Sequence, residues 1–155
     1  EIVYLLKKDG LDIKLLMIGS GQLEKELVKI TEDCKITNEV VLTGQVNNVR
    51  DYMDCCDLQV HLSESEASNS VVKEFALLGK PSIVCKNVGD FEDYCTNENS
   101  YLIPKGFSVI NLKSIIVQII NNKKDLVRKG KEMRSTVKSI FSIDNVIPKY
   151  LDVFN

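Results

Sequence analysis

The stretch Ser63-Glu64-Ser65-Glu66-Ala67-Ser68-Asn69-Ser70-Val71-Val72-Lys73-Glu74-Phe75-Ala76-Leu77-Leu78-Gly79-Lys80-Pro81 decides the fold. An apolar run ends just before it at Leu62, short polar residues follow, and then apolar residues return at helical spacing. That order reads as a strand, a loop and a helix N-terminus. Gly79 with Pro81 beyond it is a helix stop. In open α/β sheets, ligands bind beyond the carboxyl ends of the strands, where such loops sit. Two carboxylates bracket this turn, Glu66 in the loop and Glu74 about one turn into the helix.

Outward from that stretch the pattern repeats. Toward the N-terminus, residues 1–9 read as a helix stopped at Gly10. Lys14-Leu15-Leu16-Met17-Ile18 suits a strand buried on both faces. Gly19-Ser20-Gly21 turns the chain into a helix to about Cys34, with Leu23, Leu27 and Ile30 at helical spacing. A strand over 40–43, a short helix over 48–55 and a strand over 57–62 lead to the quoted stretch. Its own helix runs from about Asn69 to Leu78. Toward the C-terminus come a strand over 82–85, a loop or short helix over 89–94 and a strand over 101–103. A helix capped by Ser108 or Asn111 carries Leu112, Ile115, Ile116, Ile119 and Ile120. The remainder is helical, with breaks expected near 142–144 and at Pro148. Strands alternating with helices imply a Rossmann-like α/β fold, a parallel sheet with helices on both faces and right-handed crossovers.

Bulk properties narrow the function. The 155 residues suit a single domain spanning 1–155, and the start in mid-pattern without Met suggests a piece of a longer protein. A net charge of −2 gives no pull toward nucleic acid. No apolar run is long enough to span a bilayer, and no signal-peptide pattern opens the chain. Cys34, Cys55, Cys56, Cys85 and Cys95 form no C-x-x-C, and His61 is the lone histidine, so metal-ligand spacing is absent. Reduced cysteines acting as small apolar residues point to the cytoplasm.

Several groups can carry chemistry. Ser68 or Ser70 can cap the helix, leaving first-turn amides to favour an anion such as a diphosphate. An ionised Glu74 accepts from two adjacent hydroxyls such as a ribose diol, and Glu66 can touch the group beyond the diphosphate. The plainer alternative is that Glu64, Glu66 and Glu74 are solvated carboxylates that favour the helix dipole. Three carboxylates also repel a phosphate, and Lys73 is the only local cation to offset them, so a basic partner from elsewhere is implied. Gly19 and Gly21 make a truncated G-x-G, which reads equally as a tight turn. Residues 123–138 carry a net +5 along one amphipathic helix, which either lies on an anionic membrane or packs its stripe on its own domain. His61 ends a strand beside the loop and is either a general base or structural.

The ordered motifs resemble the C-terminal, donor-binding domain of GT-B glycosyltransferases of the group-one, family-four type. The likeness runs over residues 14–105. It comprises Leu15-Leu16-Met17-Ile18-Gly19-Ser20-Gly21, Val41-Leu42-Thr43-Gly44, Tyr52 with Cys56-Asp57, and Ser63 through Glu66 to Glu74-Phe75-Ala76. It continues with Gly79-Lys80-Pro81-Ser82-Ile83, Gly89 to Glu92, and Asn99-Ser100-Tyr101-Leu102-Ile103.

The resemblance implies a retaining transferase that moves a sugar from a nucleotide-diphosphate sugar to a glycan or lipid-linked acceptor in cell-surface polysaccharide synthesis, without cofactor or obligatory metal. Glu66 then corresponds to the carboxylate tied to catalysis and Glu74 to the one holding the ribose hydroxyls. Amides around Ala67, Ser68, Asn69, Ser70 and Val71 correspond to diphosphate and sugar contacts. Gly19 and Gly21, with Gln45 and Val46 beside the base, complete the donor site. Ala67 and Ser68 replace the family's usual Gly and aromatic residue. The family's Arg and Lys diphosphate ligands, and the N-terminal domain that supplies much of the acceptor site, lie upstream of this sequence. The expectation is the donor half of a split site, inactive or nearly so alone, in the cytoplasm or at the inner face of the membrane. The alternatives are a non-catalytic Rossmann-like binding or regulatory module, or a peripheral membrane module using the basic helix.

Overall fold

The computed structural model describes residues 1–154. Its elements in chain order are α1 (Ile2–Lys8), β1 (Leu15–Met17), α2 (Glu24–Asp33), β2 (Val40–Leu42), α3 (Val49–Asp54), β3 (Gln59–His61), α4 (Ser70–Leu77), β4 (Ser82–Cys85), a 3-10 turn (Phe91–Asp93), β5 (Tyr101–Ile103), α5 (Val109–Asn121), α6 (Lys123–Phe141) and α7 (Ile143–Phe154). This is the α/β alternation read from the sequence. All strand pairing is parallel, and the strands divide into a two-stranded and a three-stranded sheet. The chain forms two compact units, residues 1–55 with 108–114, and residues 56–107 with those from 115 onward.

In the first unit β1 pairs with β2, Leu15 opposite Val40 and Met17 opposite Leu42. Beyond the strands the Gly19 amide donates to the Gly44 carbonyl at 2.9 Å, so the loops after β1 and β2 start side by side. Val3, Leu6, Ile36 and Met53 are buried. Lys7 Nζ donates to the Lys35 carbonyl at 2.6 Å and to Glu39 at 2.9 Å, tying α1 to the turn before β2. The strand expected to be buried on both faces is less enclosed than that. Leu15 and Leu16 are half-buried and Met17 is exposed, and α2 buries no residue. A two-stranded sheet offers too few neighbours to cover both faces of a strand.

The second unit has the order β3-β4-β5, with Gln59 opposite Ser82 and Ile83 opposite Tyr101. All four residues of the central strand β4 are buried. Ser82 donates to Gln59 at 2.6 Å, which satisfies this buried polar pair. Val72, Phe75 and Ala76, at helical spacing on α4, form its buried face, and α4 packs on β3, β4 and α6. The approach to α6 depends on Gly130: a Cβ there would collide with the carbonyl oxygen of Gly79. Burial pushes the Cys95 thiol up to about 12 and raises that of Cys85, which suits the reading of these cysteines as core residues.

Three sequence expectations change. The N-cap of α4 is Asn69 rather than Ser68 or Ser70: its backbone is extended and its side-chain oxygen accepts from the Val72 amide at 3.0 Å. Ser70 is already helical. At the start of α5 both candidates act together. Ser108 Oγ accepts from the Asn111 amide at 3.2 Å, and Asn111 reaches back to the Ser108 amide at 3.1 Å. Finally, α7 runs through Pro148 without a break. The lost N–H would have bonded the Asp144 carbonyl, which lies on an exposed turn where water can replace it.

The basic helix 123–138 becomes α6, and part of its charge is used internally. The buried Lys129 ammonium donates to the carbonyls of Asn97 and Ser100. Arg128 chelates Asp125, at 2.6 Å from one guanidinium nitrogen, and donates to the Glu98 carbonyl at 3.1 Å. Met133 and Val137 form the buried stripe. No helix among the described residues is long and apolar enough to cross a membrane.

Candidate functional site

The quoted stretch forms the carboxyl edge of the second unit's sheet. β3 ends at His61, and α4 begins at Ser70. Between them the chain folds back so that Glu66 Oε1 lies 3.0 Å from His61 Nε2 and 3.3 Å from Asn69 Nδ2. An ionised carboxylate only accepts, so the contact requires the proton on His61 Nε2. That nitrogen then has no lone pair for Asn69 Nδ2, and their 3.4 Å separation is proximity only. The other face of the amide explains the arrangement. Asn69 Oδ1 caps Val72, which directs Nδ2 toward Glu66. The His61 ring also meets Phe91 edge-on, with centroids 5.5 Å apart. Glu66 is thus held by a strand end, a helix cap and an aromatic support, with a quarter of its side chain exposed (25%).

The other two carboxylates differ. Glu64 accepts from the Gly106 amide at 2.7 Å and fastens the loop to the turn after β5. Glu74 is exposed on α4, and its carboxylate makes no hydrogen bond or ion pair among the described residues. Ala67, Ser68, Ser70 and Val71 are exposed, and the amides of Ser70 and Val71 have no helical carbonyl to bond.

Lys73 does not face the open edge as a phosphate ligand would. Its ammonium lies 2.5 Å from Asp90 Oδ2, donates to Ser68 Oγ at 2.8 Å, and sits 4.5 Å and 5.3 Å from the ring centroids of Phe141 and Tyr94. Ser68 Oγ in turn donates to Asp90 at 2.8 Å. Burial works to raise the Asp90 carboxyl, but the hydrogen bonds from Lys73 and Ser68, helped by the Asn69 amide, hold it below its ordinary value. The local cation invoked from the sequence is therefore already paired. Next to Asp90, Gly89 has φ +53°, and a Cβ there would lie 2.8 Å and 2.9 Å from the carbonyl oxygens of Glu66 and Ala67. Gly89 and Asp90 were missed as parts of this loop. Asp90 is 22 residues from Ser68 and 17 from Lys73, and no local pattern joins them.

Gly19, Gly21, Gln45 and Val46 fall in the first unit. Gly19 and Gly21 form the turn from β1 toward α2, while exposed Gln45 and half-buried Val46 follow Gly44.

A parallel three-stranded sheet, with one held and one unpartnered carboxylate at its carboxyl edge, is a Rossmann-like arrangement. The chain belongs to the family described as glycosyl transferases group 1, which matches residues 1–136. It is 24% identical over 157 residues to poly(ribitol-phosphate) alpha-N-acetylglucosaminyltransferase of Staphylococcus aureus (strain COL), covering 100% of this chain and 31% of that protein. Among solved structures it resembles TarM, with a TM-score of 0.87 and 22% identity over 99% of this chain and 31% of the other. It also resembles Anabaena HepE in complex with UDP, with a TM-score of 0.84 and 20% identity over 99% of this chain and 44% of the other. These are glycosyltransferases of GT-B fold. The chain spans 31–40% of the length of the curated relatives it matches.

Proposed function

We propose that this chain is the donor-binding half of a retaining glycosyltransferase that transfers a sugar from a nucleotide-diphosphate sugar to a glycan or lipid-linked acceptor. The observation that carries the reading is the contrast between the two carboxylates. Glu66 is fixed at the sheet edge by His61 and Asn69, as a group near chemistry must be, whereas Glu74 is free to accept from ligand hydroxyls. The amides of Ser70 and Val71 supply donors for a phosphate between them. Membership of the family and the likeness to HepE, solved with UDP, support a nucleotide sugar as ligand. The S. aureus relative, named for poly(ribitol-phosphate), supports an acceptor in cell-surface polymer synthesis. A location in the cytoplasm or at the inner face of the membrane is in keeping with that acceptor class. No cofactor enters this reading. Gly19, Gly21, Gln45 and Val46 are assigned to the donor by the resemblance alone.

The engagement of Lys73 by Asp90 favours a second reading, a Rossmann-like module without chemistry, because the lysine beside Glu66 and Glu74 in sequence is already paired. One titration separates the two. Adding UDP, GDP or ADP to the labelled chain should shift the amides of residues 67–71, and Glu74→Ala should remove the response. Amides that stay still with all three nucleotides would count against donor binding and for the second reading.

A further inference from the structure

We propose that Asp90 is a positioning residue for the Glu66 loop, acting as a built-in anion at the start of α4 that gathers Ser68, the Asn69 amide and Lys73 into one fixed turn. This rests on the reading of Glu66 as the carboxylate nearest the transferred sugar. The sequence offers Lys73 only as the local cation beside a phosphate, and the geometry assigns it a scaffold role instead.

Both Lys73 and Asp90 have only 19% of their side chains exposed, so solvent screens their attraction less than at an open surface. The ammonium is also enclosed by the rings of Tyr94 and Phe141. For Lys73 to reach a diphosphate it must leave Asp90, Ser68 and both rings together. Asp90 Oδ2 takes Ser68 and Lys73, while Oδ1 lies 3.5 Å from the Tyr94 hydroxyl, so both oxygens are turned inward. The carboxylate accepts from the Asn69 amide just ahead of α4 and leaves the amides of Ser70 and Val71 free.

Two sets of contacts then act on one loop. Asp90 holds the Ser68 side chain and Gly89 abuts the carbonyls of Glu66 and Ala67, which places the backbone. His61 and Asn69 hold the carboxylate itself. Asn69 belongs to both sets, through its backbone amide to Asp90 and its side chain to Glu66. Releasing Asp90 therefore loosens Glu66 without removing any atom that touches it, and a carboxylate placed beforehand spends no ligand binding energy on ordering.

The test compares the unliganded chain with Asp90→Asn, Lys73→Met, the double variant and the milder Ser68→Ala, which changes only an exposed hydroxyl. Hydrogen exchange at the hydrogen-bonded amides of Asn69 and Val72 and the His61 ring resonances are read for each, with Glu66→Ala as the spectroscopic reference for a lost contact. Asp90→Asn and Lys73→Met should each speed loop exchange about tenfold and move the His61 signals toward the reference, while exchange in β4 stays slow. The double variant should be no worse than the more severe single one, because both remove the same unit. Ser68→Ala should fall between wild type and these. Loop exchange and His61 signals that stay at wild-type values in both Asp90→Asn and Ser68→Ala would overturn the proposal. So would UDP binding that weakens in Lys73→Met but tightens in Asp90→Asn, the pattern of a phosphate-binding lysine released from its partner. If wild type binds no nucleotide, the donor reading fails while the exchange and ring measurements still decide the role of Asp90.

Discussion

Replacing Gly89 by alanine should disturb the candidate site through backbone alone. Two costs add. The residue has φ +53°, where an L side chain costs roughly 1–2 kcal/mol. The new Cβ would sit 2.8 Å from the Glu66 carbonyl oxygen and 2.9 Å from that of Ala67, so the loop must retreat by about half an ångström to reach ordinary contact. Such overpacking costs about 1–3 kcal/mol. The reduced freedom of the unfolded chain returns roughly 0.4–1 kcal/mol. The net loss is about 1–4.5 kcal/mol, which for a chain of this size lowers the melting temperature by about 2–18 °C. The same retreat takes the 3.0 Å contact of His61 with Glu66 to the limit of hydrogen bonding. Thermal denaturation measures the first effect and the His61 ring resonances the second. Gly89→Asn separates the causes. Asparagine tolerates this backbone region, and Asn87, two residues earlier, adopts φ +57°. If overlap dominates, Asn is as damaging as Ala; if the dihedral dominates, Asn recovers most of the stability. An alanine variant that melts with wild type and keeps its His61 signals would refute the reasoning.

Three further outcomes follow from the geometry. Gly130→Ala should destabilise by about 1–3 kcal/mol in urea titration despite a helix-propensity gain of about 1 kcal/mol, because its Cβ meets the Gly79 backbone rather than a movable side chain. Lys129→Met should lose about 1–3 kcal/mol in the same assay, because the carbonyls of Asn97 and Ser100 lose their buried donor. Asp90 gives a pH dependence whose sign is fixed by its lowered pKa: its stabilisation is fully present above its ordinary value and lost as pH falls through the folded one. The stability difference between wild type and Asp90→Asn should therefore be constant from about pH 6 to 8 and shrink below about pH 4.

Much of the architecture was legible because it rests on local signals. Gly79 and Pro81 after an apolar helical pattern mark the end of α4, and the chain there closes with Lys80 donating to the Phe75 carbonyl and Gly79 to that of Ala76. Ser82-Ile83-Val84-Cys85 reads as a central strand and is wholly buried. Side-chain competition was not legible. Ser68, Asn69 and Ser70 are all competent caps, and only the position of Asp90 draws Ser68 away and leaves the cap to Asn69. Likewise Pro148 looked like a break, but on an exposed helix one lost hydrogen bond does not end the element.

By itself the sequence determined the alternation of strands and helices, the loop at the end of β3 and the presence of Glu66 and Glu74 on either side of a helix start. Those depend on periodicity and on residues close together along the chain. Tertiary structure decided what each charge does. Glu64 bonds an amide 42 residues away, Lys73 turns to Asp90, and Lys129 is buried under carbonyls. Glu66 is clasped by His61, while the Glu74 carboxylate on α4 is left free. Charge and spacing are sequence properties, but whether a charged group is paired or available depends on partners that only folding brings within hydrogen-bond distance.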